Sequence, residues 1–313
     1  MANNRKFRFG VQMSRAGSAD AWREKARKLE DLGYASLFIP DHFEDQFAPM
    51  PALMAAADAT STLRVGTLVL DNDYRHPLVL AKEIATLDLL SNGRVEFGIG
   101  AGWMKTDYDA SGMVYESPGV RIEKLKEGLA ICKGLFASEG PFSYAGKHYT
   151  ITAAKGLPKP VQTPHPPVLI GGGRPRVLKF AAREADIIGF NFSLHEGAVN
   201  RETMVTGTAA ATDEKIGWVR EGAGARMDEL EMNVTVFVCV VTDDRASMAE
   251  RISGGFGMPA AEVLESPHAV IGSVDQIVED IQRRRERWGF SYVVFSGDVA
   301  DAMAPVVKKL AGT

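Results

Sequence analysis

The chain has 313 residues, 45% of them apolar and 24% charged, with a formal net charge of -4. This mixed balance creates no global attraction to nucleic acid or to an anionic membrane, and no apolar stretch reaches the length of a membrane span. Cys132 and Cys239 lie inside apolar patterns, as reduced core thiols do, and the polar start Met1 to Lys6 leads straight into a strand, so a soluble cytoplasmic protein is expected.

In chain order, Phe7 to Gln12 reads as the first strand. Ser18 caps a helix carrying Trp22, Ala26 and Leu29 at helical spacing, and Gly33 stops it. Ser36 to Pro40 is the second strand, an apolar run suited to a strand covered on both faces. Leu63 to Leu70 is the third. Pro77 starts the next helix, which Asn92-Gly93 closes, and Val95 to Ile99 is the fourth strand. Ile122, Leu125, Leu129, Cys132 and Phe136 form one helical stripe. Phe142 to Ile151 reads as a hairpin excursion and Leu157 to Pro167 as an extended proline-rich stretch. Val168 to Ile170 is the fifth strand, Arg176 to Glu184 a helix, and Asp186 to Phe190 the sixth strand. The pattern weakens over Asn191 to Gly217, which predicts a mobile loop over the strand ends. Met232 to Thr242 is the seventh strand, Ser273 to Gln276 a capping box, and Tyr292 to Phe295 the eighth strand. Arg283-Arg284-Arg285 reads as a solvated helix face. Eight strands alternating with helices predict one (β/α)8 TIM barrel domain over residues 1–313, with insertions after strands four and six and before strand five. An open doubly wound sheet is the other arrangement that the same alternation allows.

In either arrangement ligands bind at the carboxyl ends of the strands, so the strand tips carry the chemistry. Asp41 and His42 follow the second strand. An imidazole can serve as acid or base near neutral pH, and the carboxylate can accept hydrogen bonds from a ring or hydroxyl; capping a helix is the bland use of the same histidine. Gly98 to Trp103 departs from a dinucleotide fingerprint, because Trp103 occupies the last glycine position. Gly100 and Gly102 instead suit a backbone passing close to a flat ring, with Trp103 as an aromatic wall. Gly171-Gly172-Gly173 runs into a helix start with Arg174 and Arg176, where free amides, the helix dipole and guanidinium charge converge on an anion; a plain glycine turn is the alternative. His76, His148, His165, His195 and His268 are isolated, and neither H-E-x-x-H nor Cys-x-x-Cys occurs, so no metal site is expected.

The stretches FGVQ (Phe9 to Gln12), LGYASLFIPDHF (Leu32 to Phe43), LRVGTLVL with YRHP (Leu63 to Pro77), LDLLSNGRVEFGIGAGW (Leu87 to Trp103), PVLIGGG (Pro167 to Gly173) and IGSVDQIVEDI (Ile271 to Ile281) run in order along nearly the whole chain. Through them the sequence resembles the luciferase-like monooxygenase superfamily, most closely its actinobacterial oxidoreductases that use the deazaflavin coenzyme F420. The resemblance implies cofactor contacts by Asp41, His42, Gly100, Gly102, Gly172 and Gly173. It also implies a non-prolyl cis peptide within Leu68 to Asp71, which adds Leu68, Val69 and Leu70 to the cofactor-binding set with Trp103, Gly171 and Arg176. A homodimer is implied too. Sugar-phosphate dehydrogenases of the superfamily carry an acidic residue where Trp103 stands, so that activity is not carried over; Trp103 and Met13 point to a less polar substrate space.

The expected function is hydride transfer between coenzyme F420 and a small organic substrate, with His42 and Asp41 as the catalytic pair. The alternatives are a reduced-FMN monooxygenase and a non-catalytic flavin or deazaflavin binder.

Overall fold

The structure, a computed structural model, describes residues 5–194 and 197–313. The first residues of the polar start and His195 lie outside that range. Nine hydrogen-bonded segments form one sheet; Leu70–Asp71 continues the third strand, which leaves eight barrel strands. These are β1 Arg8–Gln12, β2 Ser36–Ile39, β3 Arg64–Thr67, β4 Val95–Gly100, β5 Val168–Gly172, β6 Ile187–Phe190, β7 Glu231–Val236 and β8 Phe290–Ser296. All neighbours are parallel. Val65 pairs with Val95 between β3 and β4, and Arg8 to Gln12 pair with Tyr292 to Ser296 between β1 and β8, so the sheet closes on itself. The fold is therefore a (β/α)8 barrel, not an open sheet.

Local chemistry sets the connections. Ser18 Oγ accepts the Ala21 amide and caps helix Ala19–Asp31, and Gly33 leaves it at φ +84°. Ser273 and Gln276 complete the capping box of helix Val274–Trp288. Every residue of β4 is buried, as expected of a parallel strand inside a ring of helices. The main hydrophobic cluster extends from Phe7 to Leu310.

Near the amino end of the barrel the interior carries charge. Glu96 of β4 accepts from Arg8 of β1, from Arg64 Nε of β3 at 2.8 Å and from the Tyr292 hydroxyl of β8 at 2.8 Å. Arg8 also grips Glu231 of β7 at 2.7 and 2.5 Å. Five strands are thus tied through one buried carboxylate and its partners.

Four expectations change. The seventh strand breaks at Phe237: the Phe237 and Val238 amides both reach the His268 carbonyl, at 2.9 and 3.2 Å, and Val238–Val241 leaves the barrel to pair with Ala269–Gly272. Residues 191–217 are not a featureless loop, because they contain helix Arg201–Val205 and the first part of helix Ala209–Ala223. Arg283 is exposed and Arg285 covers the Phe7 ring, but Arg284 between them is buried and donates to the carbonyls of Leu264 and Ala269, so the arginine run is only in part a solvated face. Cys132 is fully buried, whereas Cys239 is only partly covered; burial pushes both thiols up to about 12. The insertions after β4 and β6 are present, and a further one, residues 237–289, joins β7 to β8.

Candidate active site

The strand tips of β1 to β7 enclose a cavity of about 940 Å³, within the range of small-molecule and cofactor sites. Asp41, His42, Leu68, Val69, Leu70, Gly100, Gly102, Trp103, Gly171, Gly172, Gly173 and Arg176 all line it. The one non-prolyl cis peptide among the described residues joins Leu68 to Val69, inside the expected window. Beside it the Gln12 amide donates to the Leu68 carbonyl at 2.9 Å. Met13 is the exception to the sequence reading. It is buried at the edge of a separate pocket of about 490 Å³ between the β1 and β8 tips, with Arg15 and Lys25, so it says nothing about this cavity's polarity.

His42 meets a partner that sequence reasoning missed. Its Nδ1 lies 2.7 Å from Asp107 Oδ2, on helix Lys105–Ser111 directly after the β4 tip. Asp107 is 3% exposed and also accepts the Phe43 amide at 3.2 Å and the Tyr74 hydroxyl at 3.1 Å. A carboxylate held by three donors acts on the imidazole as an acceptor, which keeps the proton on Nδ1 and leaves Nε2 for other work. Trp103 stands edge-on to the ring, centroids 5.6 Å apart at 84°. The only signal available in sequence was an acidic residue in the first helical turn after a glycine-tipped strand.

Asp41 serves differently from its neighbour. Its two oxygens are taken by Arg75, at 2.6 and 3.1 Å, and by the Asp71 amide at 3.1 Å. It therefore joins the β2 tip to the β3 tip. Asp71 is itself buried, accepting from the Tyr108 hydroxyl and the Asp73 amide, both at 2.9 Å. Burial outweighs those hydrogen bonds and pushes the Asp71 carboxyl up to about 6. An acid raised in this way contributes stability that is present below its ordinary value and lost as pH rises through about 6. In urea titrations, wild type minus Asp71→Asn should therefore lose stability as pH rises from 4 to 6; a flat difference would show Asp71 to titrate normally.

The glycines divide by what a side chain would meet. At Gly102, φ +74°, a Cβ would lie 2.2 Å from the Tyr108 hydroxyl and 2.3 Å from Asp71 Oδ2, so the protein's own packing requires glycine. At Gly173 it would lie 2.2 Å from the Phe192 carbonyl, with the same result. At Gly171 it meets only the Val69 methyls, at 3.5 and 3.8 Å. The bareness of Gly171 is thus not demanded by neighbouring protein atoms. Arg176, half-exposed in the first turn of helix Pro175–Glu184, pairs with Glu123 at 2.5 Å. Arg121, also on the wall, donates to the carbonyls of Ala101 and Glu116 and covers the Tyr115 ring.

No group of three or more histidine, cysteine or acidic residues suited to a metal occurs among the described residues, and none of the described helices is long and apolar enough to cross a membrane.

Fold and site together define a parallel (β/α)8 barrel with an aspartate-held histidine in a large cavity at the carboxyl ends of its strands. A family model described as luciferase-like monooxygenase matches residues 5–287, and the chain belongs to that family. It is 28% identical over 295 residues to the F420-dependent glucose-6-phosphate dehydrogenase of Amycolatopsis mediterranei (strain U-32), a match covering 90% of this chain and 83% of that one. Its fold is similar to an F420-dependent secondary alcohol dehydrogenase in complex with an F420-acetone adduct, with a TM-score of 0.77 at 19% identity and 98% of both chains covered. It is also similar to the oxygenating constituent of 3,6-diketocamphane monooxygenase of Pseudomonas putida in complex with FMN, with a TM-score of 0.72 at 17% identity and 98% of both chains covered.

Proposed function

We propose that the protein is an oxidoreductase that uses coenzyme F420 to move a hydride to or from a small organic substrate. The observation that carries this reading is the bare backbone at Gly171 beside Val69, opening on the same cavity as the His42 and Asp107 pair. With no side chain at Gly171 and only the Val69 methyls beside it, this part of the cavity wall is low and apolar, a surface that a flat ring can face. The F420-dependent relative over most of the chain supports the choice of cofactor.

A deazaflavin, when bound, supplies a carbon that accepts or donates the hydride. The protein's residues do the rest. Leu68, Val69, Leu70, Gly100, Gly102 and Trp103, which line the cavity, would hold the ring. The amides of Gly172 and Gly173, just before helix Pro175–Glu184, would hold the cofactor phosphate with help from Arg176, whose present partner is Glu123. His42 gives or takes the accompanying proton through Nε2, and Asp107 holds its other nitrogen. Asp41, bound to Arg75, keeps the two strand tips together and acts by positioning.

The FMN-bound structural relative makes a reduced-FMN monooxygenase the competing reading, and a silent flavin or deazaflavin binder is the third. Equilibrium titration of the apo protein with both cofactors separates them: F420 should bind at least tenfold more tightly than FMN. The opposite order would support the monooxygenase. Tight F420 binding with no turnover over a broad substrate panel would support the silent binder.

Gly171→Val tests the cradle. Its Cβ is accommodated by the fold, but its methyls enter the cavity, so F420 affinity should fall at least tenfold, about 1.4 kcal/mol, with the unfolding midpoint unchanged. Unchanged affinity would move the cofactor elsewhere.

The homodimer is also a proposal. Helix Pro77–Leu90 leaves Leu78, Val79, Leu89 and Leu90 exposed, an apolar surface that a second copy would cover. Light scattering should return twice the chain mass.

A further inference from the structure

The cavity wall opposite His42 has a different chemistry. After β6 the chain contributes Phe192, Leu194, Val199 and Met204, and the break after β7 adds Phe237. No lysine, arginine or histidine lines the cavity within this stretch among the described residues. Its own capping box at Asn200 and Thr203 is supplemented by a group from outside the stretch. Buried Lys215, on helix Ala209–Ala223, donates through Nζ to the Asn191 carbonyl at 2.8 Å and to the Thr206 carbonyl at 2.6 Å, closing both ends of the segment with one group. The Ser193 amide adds a bond to Thr206 Oγ1 at 2.8 Å. Phe192 then stacks on Phe237, centroids 5.3 Å apart, and on His268 at 4.4 Å. His268 is fully buried with Nδ1 on the Thr235 carbonyl at 2.8 Å, and burial pushes it down to about 3, so its ring is neutral and joins the stack as an apolar plate. Lys215 spends its donors on carbonyls, and it is absent from the cavity lining.

We infer that Phe192, Leu194, Val199 and Met204, on the segment whose ends Lys215 clamps, are the specificity-determining wall of the site, and that they select an uncharged substrate with an apolar body. This rests on the oxidoreductase reading for the reaction, but not for the binding. A phosphorylated or carboxylated substrate would lose its hydration against this wall and find no counter-charge among its described lining residues. An aliphatic or cyclic ketone or alcohol would place its body on the Phe192, Met204 and Phe237 surface and its oxygen toward His42.

Calorimetric titration of the F420-loaded protein with cyclohexanone, 2-octanone and glucose 6-phosphate tests this. The ketones should bind, 2-octanone the more tightly, at least tenfold better than the sugar phosphate. Met204→Lys, placing a cation in the wall, should weaken 2-octanone at least tenfold while F420 affinity stays within twofold. Lys215→Met should weaken the ketone similarly, and Lys215→Arg, which can still reach both carbonyls, should recover most of the loss; the unfolding midpoint of each variant is recorded alongside. Tighter binding of glucose 6-phosphate, or ketone binding indifferent to Met204→Lys, overturns the inference. If F420 itself fails to bind, the F420 reading falls, and the same ketone titration on the apo protein still judges the wall.

Discussion

His42→Asn should bind F420 within about twofold of wild type yet turn over about a hundred- to ten-thousand-fold more slowly, the range that a positioned general acid or base supplies. Asparagine keeps much of the volume and can still donate to Asp107, so the pocket beside Trp103 stays formed. It cannot exchange a proton with substrate in the working pH range. The variant should also lose the limb of the pH–rate profile that belongs to the imidazole. Asp107→Asn separates the two parts of the pair. The imidazole remains, but the acceptor that fixes its tautomer at 2.7 Å is replaced by a group able to donate. Its turnover should fall by a smaller factor with the profile displaced, not abolished. A His42→Asn enzyme at wild-type rate with an unaltered profile would reduce His42 to a structural residue. Asp71, a cavity-lining carboxyl pushed up to about 6, would then be the next proton carrier to test.

Glu96→Ala should destabilise the fold by about 3–5 kcal/mol, the cost of removing one partner from a buried ionic cluster. Glu96 is 1% exposed, and its loss leaves Arg8, Arg64 and the Tyr292 hydroxyl facing one another inside the barrel. Burial alone would raise the Glu96 carboxyl, but Arg8 and Arg64 outweigh it and hold the group below its ordinary value of 4.5. A depressed carboxyl contributes stability that is present above pH 4.5 and lost as pH falls below it through the folded value. Wild type should therefore lose stability through that acid window, and Glu96→Ala should lose less of it. Denaturant unfolding at neutral pH and at pH 3 measures both effects. A neutral-pH loss under 1 kcal/mol would mean that the arginines find solvent or Glu231 at no cost.

The elements legible in sequence were those whose cause is local. Ser18, Ser273 with Gln276, and the glycines at 33 and 93 announce helix ends within a few residues, and the apolar runs of β2 and β4 announce buried parallel strands. Arg201–Val205 and Ala209–Ala223 were missed although Asn200 and Thr208 cap them, and two further helices were missed for want of such a signature. Pro49–Ala59 has no side-chain cap and little amphipathic contrast, and Ala300–Leu310 carries Pro305 in its interior. The strand tips of the site were legible for the same reason as the strands: each is a short sequence directly following one.

What sequence could not supply was the pairing of side chains. His42 and Asp107 are 65 residues apart, Asp41 and Arg75 are 34 apart, and Glu96 meets Tyr292 across 196 residues. No periodicity links such positions; they meet because the strands close into a ring, which brings every tip to one mouth and sets the strands' inward side chains against one another. Glycine roles divide in the same way. Sequence marks Gly102, Gly171 and Gly173 alike, and only the packed chain shows that Tyr108 and Asp71 occupy the space beside the first, the Phe192 carbonyl that beside the third, and nothing but two valine methyls that beside the second. Backbone pattern is written in neighbouring residues, whereas the use of each atom at the mouth depends on what the closed barrel sets within 3 Å of it.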